Sequence, residues 1–181
     1  MDLSTQFQGL SHYNRDMNAR LLDGCEQLDS TELTKDRGAF FGSILGTLNH
    51  LLVADIMWMR RFVALSSPAT QHLRTAQQPP EPTALDEILA PDLARLRPWR
   101  QRLDEDIVTF CQALTQDDFA ATLHYHNRRG DPFSKCFGAV LLHLFNHQTH
   151  HRGQITTLLS QLGVDVGATD YLLWIPEADG P

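Results

Sequence analysis

Four of the nine histidines, His143, His147, His150 and His151, lie within one leucine-rich stretch, "LLHLFNHQTHHRGQITTLLSQLG", Leu141 to Gly163. Neutral imidazole is a common ligand for divalent transition metals, so the first question is which of these rings face inward. A helix turning ~100° per residue puts Phe137, Val140, Leu144, Ile155 and Leu158 on one apolar stripe. His147 and His151 point within that stripe, and His143 and His150 point toward its margin. One core histidine is readily explained by a hydrogen-bonded neutral ring. Two, a turn apart, are harder to explain that way, because a buried polar atom left without a partner costs ~1–3 kcal/mol. A metal satisfies one nitrogen of each at once, and the i, i+4 spacing brings both to a common point.

A third ligand must come from another helix, and His50 is the candidate. It sits in "GTLNHLLVADIMW", the most hydrophobic segment of the chain. Its helical face carries Ser43, Gly46, Thr47, Ala54 and Met57, mostly small, which suggests a cavity beside the ring; tight helix packing explains them equally well. Arg61, three turns on, could meet an anionic substrate or simply be a solvated helix-end charge. Asp55 points away from His50, so no general base is named. His50, His147 and His151 form an open three-nitrogen site for a divalent transition metal, zinc or nickel foremost. His143 and His150 read as surface imidazoles or outer partners. His124 and His126 share a strand face without a third ligand, and His12 and His72 carry no signal.

The elements that must position these rings are helical. Leu3, Phe7, Leu10, Asn14, Met17, Leu21 and Leu28 mark a first amphipathic helix. A second starts after Ser43 and runs to about Leu65, apolar almost all round, and so is either central or a subunit interface. Ser66 to Thr83 is a connection long enough for a crossover to a parallel neighbour. A third helix spans about Pro91 to Leu114, with Pro98 awkward inside it. Alternation near Leu123, Tyr125 and Asn127 and the turn "NRRGD" predict a small β-hairpin. A fourth helix runs from about Ser134 to Gly163, and "DYLLW" forms a single turn packing its Leu and Trp on the bundle. The expected fold is all-α: one domain over residues 1–181, a four-helix bundle with a long crossover between helices 2 and 3 and a β-hairpin before helix 4.

Bulk properties narrow the function. The 181 residues are 42% hydrophobic and 20% charged, with a net charge of −7. That acidity argues against nucleic acid. No stretch reads as a signal peptide or a membrane span. Cys25, Cys111 and Cys136 are isolated and read as buried small residues in a reducing, cytoplasmic setting.

The segments "YNRDMNARLL", "TLNHLLVADIMWMRRF", "NHQTHHRGQITTLLSQLG" and "DYLLW" together resemble the DinB family of metal-binding helical bundles. The resemblance covers nearly the whole chain. It implies a bundle with a long crossover after the second helix, often dimeric, whose metal ligands fall on His50, His147 and His151. Arg152-Gly153-Gln154 then looks like packing support, with Gly153 allowing close helix approach. Asp16 stands where the first-helix motif often has an aromatic. The resemblance also implies a thiol-dependent transferase-like reaction, with a small thiol cosubstrate and a small electrophile; metal-assisted hydrolysis is the runner-up. A non-catalytic metal- or ligand-binding bundle is the alternative from a different class.

Overall fold

A computed structural model describes residues 2–175 and Glu177. Among these the chain is mostly helical, with six α-helices and one two-stranded antiparallel hairpin. The long helices are α1 (Leu3–Cys25), α3 (Ile44–Phe62), α4 (Leu93–Ala113) and α6 (Phe137–Gln161), and α2 (Ser30–Thr34) and α5 (Gln116–Ala120) are single turns. Strands β1 (Thr122–His126) and β2 (Pro132–Cys136) pair in the register Thr122 with Cys136 and His126 with Pro132. The five-residue turn between them is closed by Asn127, whose N–H donates to Asp131 O and whose side chain accepts from two backbone N–H groups.

Local chemistry fixes where the helices begin. Asp2, Ser43 and Asp92 each sit in extended backbone and accept a hydrogen bond from the N–H three residues on. The Asp92 cap places the start of α4 two residues beyond Pro91 and leaves Pro98 inside the helix. α6 starts at Phe137, three residues later than Ser134, because Pro132–Cys136 is committed to the hairpin. It ends two residues before Gly163, which adopts φ +80°.

Side-chain partners give the helix directions. Asn49 bonds to Ala90, Asp55 pairs with Arg100, and Phe62 stacks on Phe110, so α3 and α4 run parallel. Parallel neighbours need a long return, and residues 63–92 supply it with two short 3-10 turns, Pro68–His72 and Thr75–Gln77. α3 and α6 run antiparallel, since His50 meets His147 while Phe62 meets Phe137. α1 packs on both α4 and α6.

α3 is buried from Ile44 through Met57 by the chain's own segments. Its all-round apolarity is therefore accounted for without a second subunit. The final turn, Tyr171–Trp174, packs differently from the sequence expectation. Its Tyr171 and Trp174 rings meet Tyr13 edge-on, but Leu172 and Leu173 are 74% and 65% exposed. The aromatic residues anchor this turn and the leucines face outward. Among the described residues no helix is long and apolar enough to cross a membrane.

Candidate metal centre

His50 is set by the Ser43 cap, which fixes the start of α3 two turns earlier. His147 and His151 are set by α6, one turn apart on the side facing α3. The antiparallel pairing brings the three rings together: one ring nitrogen from each lies within 4.8 Å of the others. His50 Nε2 and His147 Nε2 are 3.0 Å apart. His50 and His151 are buried, and His147 is half-buried.

The outer nitrogens define the tautomers. His50 Nδ1–H donates to Leu85 O at 2.8 Å, and His151 Nδ1–H donates to Gln154 Oε1 at 2.8 Å. Both rings therefore turn an unprotonated Nε2 to the centre, the arrangement of metal-ligating histidines held by outer partners. Burial keeps all three rings neutral by lowering their pKa values below the ordinary histidine range. His147 is pushed down to about 3, by burial first and then by His151 and His50. Three neutral imidazoles with converging lone pairs suit a divalent transition metal. Without one, a single proton on His147 Nε2 could bridge to His50, and His151 Nε2 would have no partner among the described residues.

The small residues near His50 serve another purpose than a cavity. The Phe41 ring stacks on His50 at 3.7 Å between centroids and meets His151 edge-on. A Cβ on Gly46 would lie 2.2 Å from Phe41 O, so Gly46 admits the backbone that carries this ring. The Thr47 hydroxyl is buried and donates to Ser43 O. Gly38 and Gly42, both at φ near +70°, bracket the turn holding Phe40 and Phe41.

Beside the histidines lies a polar network that periodicity alone did not reveal. Asp55 does point away from His50: it pairs with Arg100 at 2.7 Å and accepts from Gln148 Nε2 at 2.6 Å. Arg100 also grips Asp104 side-on, through Nε and Nη2 at 3.0 Å each. Asn14 and Asn18 donate to Asp104 and accept from Arg152. All seven side chains are buried. Two carboxylates and two guanidinium groups make the network neutral, and it joins α1, α3, α4 and α6.

Arg152-Gly153-Gln154 is thus more than packing support. Arg152 completes the network, and Gln154 orients His151. Gly153 is exposed, with no atom within 4 Å of an added Cβ, so it permits no close helix approach. Gln154 stands three residues beyond His151, a spacing that puts the two side chains on one face of α6.

The remaining sequence candidates separate cleanly. His143 and His150 are exposed on α6, His143 edge-on to Trp58 and His150 beside Gln154. His124 and His126 are exposed on β1, and His124 bonds across the hairpin to Ser134. His12 contacts Gln112 and His72 contacts Gln71. Cys25 and Cys111 are buried as expected; Cys136 is exposed, because it ends an edge strand. Asp16 accepts from Arg15 and from Trp174 Nε1, tying α1 to the final turn.

The chain is 26% identical to "Protein DinB" of Bacillus subtilis (strain 168) over 166 residues, covering 92% of this chain and 91% of that protein. No solved structure matches significantly. The family model described as "DinB family" matches residues 1–179, and the chain belongs to that family.

Proposed function

We propose that this protein is a metal-dependent enzyme whose His50, His147 and His151 hold a divalent transition metal, zinc or nickel. The scaffold is a four-helix bundle with a long crossover, a reading supported by the pairwise packing of α1, α3, α4 and α6. The observation that carries the proposal is the pair of fixed tautomers: Leu85 O and Gln154 Oε1 each hold an Nδ1 proton outward and leave Nε2 free. A bound ion would supply Lewis acidity, lowering the pKa of a thiol or water that reaches it.

The chain's own contribution is positioning and exclusion of water. Leu85 and Gln154 fix two rings, burial keeps all three unprotonated, and Phe41 covers one face of His50. Among the described residues no Asp, Glu or Cys joins the three histidines, which leaves a place for a small thiol cosubstrate and favours catalysis over a saturated structural site. The two buried carboxylates, Asp55 and Asp104, are held by Arg100 and serve the fold, so neither acts as a base. This arrangement supports S-transfer to a small electrophile over hydrolysis. The Phe41 ring favours the second reading, a non-catalytic metal-binding bundle, by shielding the site from one side.

Elemental analysis of untagged protein tests the proposal. We expect about one divalent ion per chain, lost in a His147→Ala variant that keeps its helical circular dichroism. Metal retained by that variant would remove the site. Thiol consumption with small electrophiles, present in wild type and absent in the variant, would then separate enzyme from structural bundle.

A further inference from the structure

The Arg61 side of α3 carries a second feature, and it is independent of the histidines. A cleft of 680 Å³ opens between the end of α3, the crossover and the hairpin turn, lined by Arg60, Arg61, Glu81, Thr83, His126 and Arg128. Two of its three guanidinium groups are tied to backbone: Arg60 donates to Ala76 O and Pro79 O, and Arg128 to Thr83 O. Arg61 is different. Its guanidinium lies over the Trp58 ring at 4.6 Å and the Tyr125 ring at 5.1 Å. Among the described residues it makes no hydrogen bond or ion pair. Aromatic rings occupy its planar face, and the N–H edge remains for a ligand. Three cations against the single carboxylate of Glu81 give the cleft a positive balance.

The cleft lies further along the same face of α3 as His50. Met57, on the same helical face as His50, lines it. The crossover contributes Thr83 to the cleft and, two residues on, Leu85 to His50. From His50 to Arg61 is roughly 16 Å along the helix at 1.5 Å per residue.

We propose that this cleft binds the acidic group, carboxylate or phosphate, of a small-molecule substrate, with Arg61 as the recognising fork. Such a group fits the bidentate geometry of guanidinium and meets the cationic balance of the walls. The substrate would be an organic acid whose acidic end is held here and whose reacting end lies on a chain long enough to span the roughly 16 Å along α3 to the histidines. That last step rests on the enzyme reading above; the anion site itself does not.

The test is calorimetric titration of the full chain with succinate and, separately, inorganic phosphate at low ionic strength, on protein as purified and again after chelation. Saturable binding is expected in both preparations. Arg61→Gln should weaken it about tenfold or more, as for loss of a charged hydrogen-bonding group. Arg95→Gln, on the exposed first turn of α4, should leave it unchanged. Glu81→Gln should tighten it several-fold by removing the opposing carboxylate, a gain that misfolding does not produce. The probe bound more tightly identifies the group as carboxylate or phosphate. No saturable binding of either probe, an Arg61→Gln variant that binds like wild type, or a Glu81→Gln variant with no gain would overturn the proposal. A chain that binds succinate but no metal keeps the cleft and removes the centre; one that binds metal but neither anion removes the cleft alone.

Discussion

A buried imidazole with one nitrogen hydrogen-bonded to the protein presents the other as a lone pair, and protonating that nitrogen means placing a charge out of water. His147 shows the consequence most strongly, with its pKa pushed down to about 3 by burial and by the neighbouring rings. The effect on stability has a definite sign. Between that value and the ordinary value near 6.5, the unfolded chain binds a proton that the folded chain does not. Metal-free protein should therefore lose stability as pH falls through this window. His147→Gln removes one such group, so its urea midpoint should fall less steeply than that of wild type from roughly pH 7 to pH 4. Parallel curves would show that the ring is not held neutral by its site. The meeting of the three histidines was legible in the sequence because helical periodicity turned His147 and His151 inward and because His50 lay in the most hydrophobic run of the chain. The partners that orient them were harder to read: Leu85 O is a backbone atom of the crossover, and Gln154 differs from a surface glutamine only in where α6 lies.

Two helical glycines distinguish what an element can tolerate. Gly46 in α3 supports Phe41 O so closely that any Cβ must displace backbone. Gly153 in α6 faces open space. Gly46→Ala should thus destabilise by about 1–3 kcal/mol, the range for forcing atoms into a packed region, and loosen the Phe41 cover. Gly153→Ala should stabilise by about 0.5–1 kcal/mol, because alanine is the better helix former and meets nothing. Thermal melts of the two variants should shift in opposite directions; a stabilised Gly46→Ala would mean that Phe41 does not sit on α3. Sequence reasoning read Gly46 as lining a cavity or a tight helix contact and Gly153 as a close-approach site, since composition shows a missing Cβ but not what stands over it. It placed the long helices well where caps were explicit, as at Ser43. It erred where a competing element used the residues, as when β2 took Ser134 to Cys136 from the start of α6. α2 and α5, each five residues, carry too few periods to read.

At the scale of the whole molecule, Arg100 and the three-histidine cluster impose different demands. Arg100 and Asp104, spaced i, i+4, would look on paper like an exposed helix pair. Only the packing of α1, α3 and α6 around α4 buries them and adds Asp55. Removing one partner strands the others: Arg100→Met leaves two buried carboxylates without their cation and should cost about 3–5 kcal/mol. The same network reaches α6 through Gln148 and Arg152, one residue beyond His147 and His151 respectively, so metal binding and bundle stability could be one property or two. Urea denaturation with and without zinc separates them. An ion that binds only the folded chain raises stability by an increment that depends on its free concentration and affinity, ~4 kcal/mol at a thousandfold excess over Kd. If the network serves the fold alone, Arg100→Met should lower both curves equally and keep that increment, whereas His147→Ala should lose it and retain metal-free stability. Loss of the increment in Arg100→Met would instead make the Arg100 network a positioning device for the histidines, acting through Asp55 and Gln148.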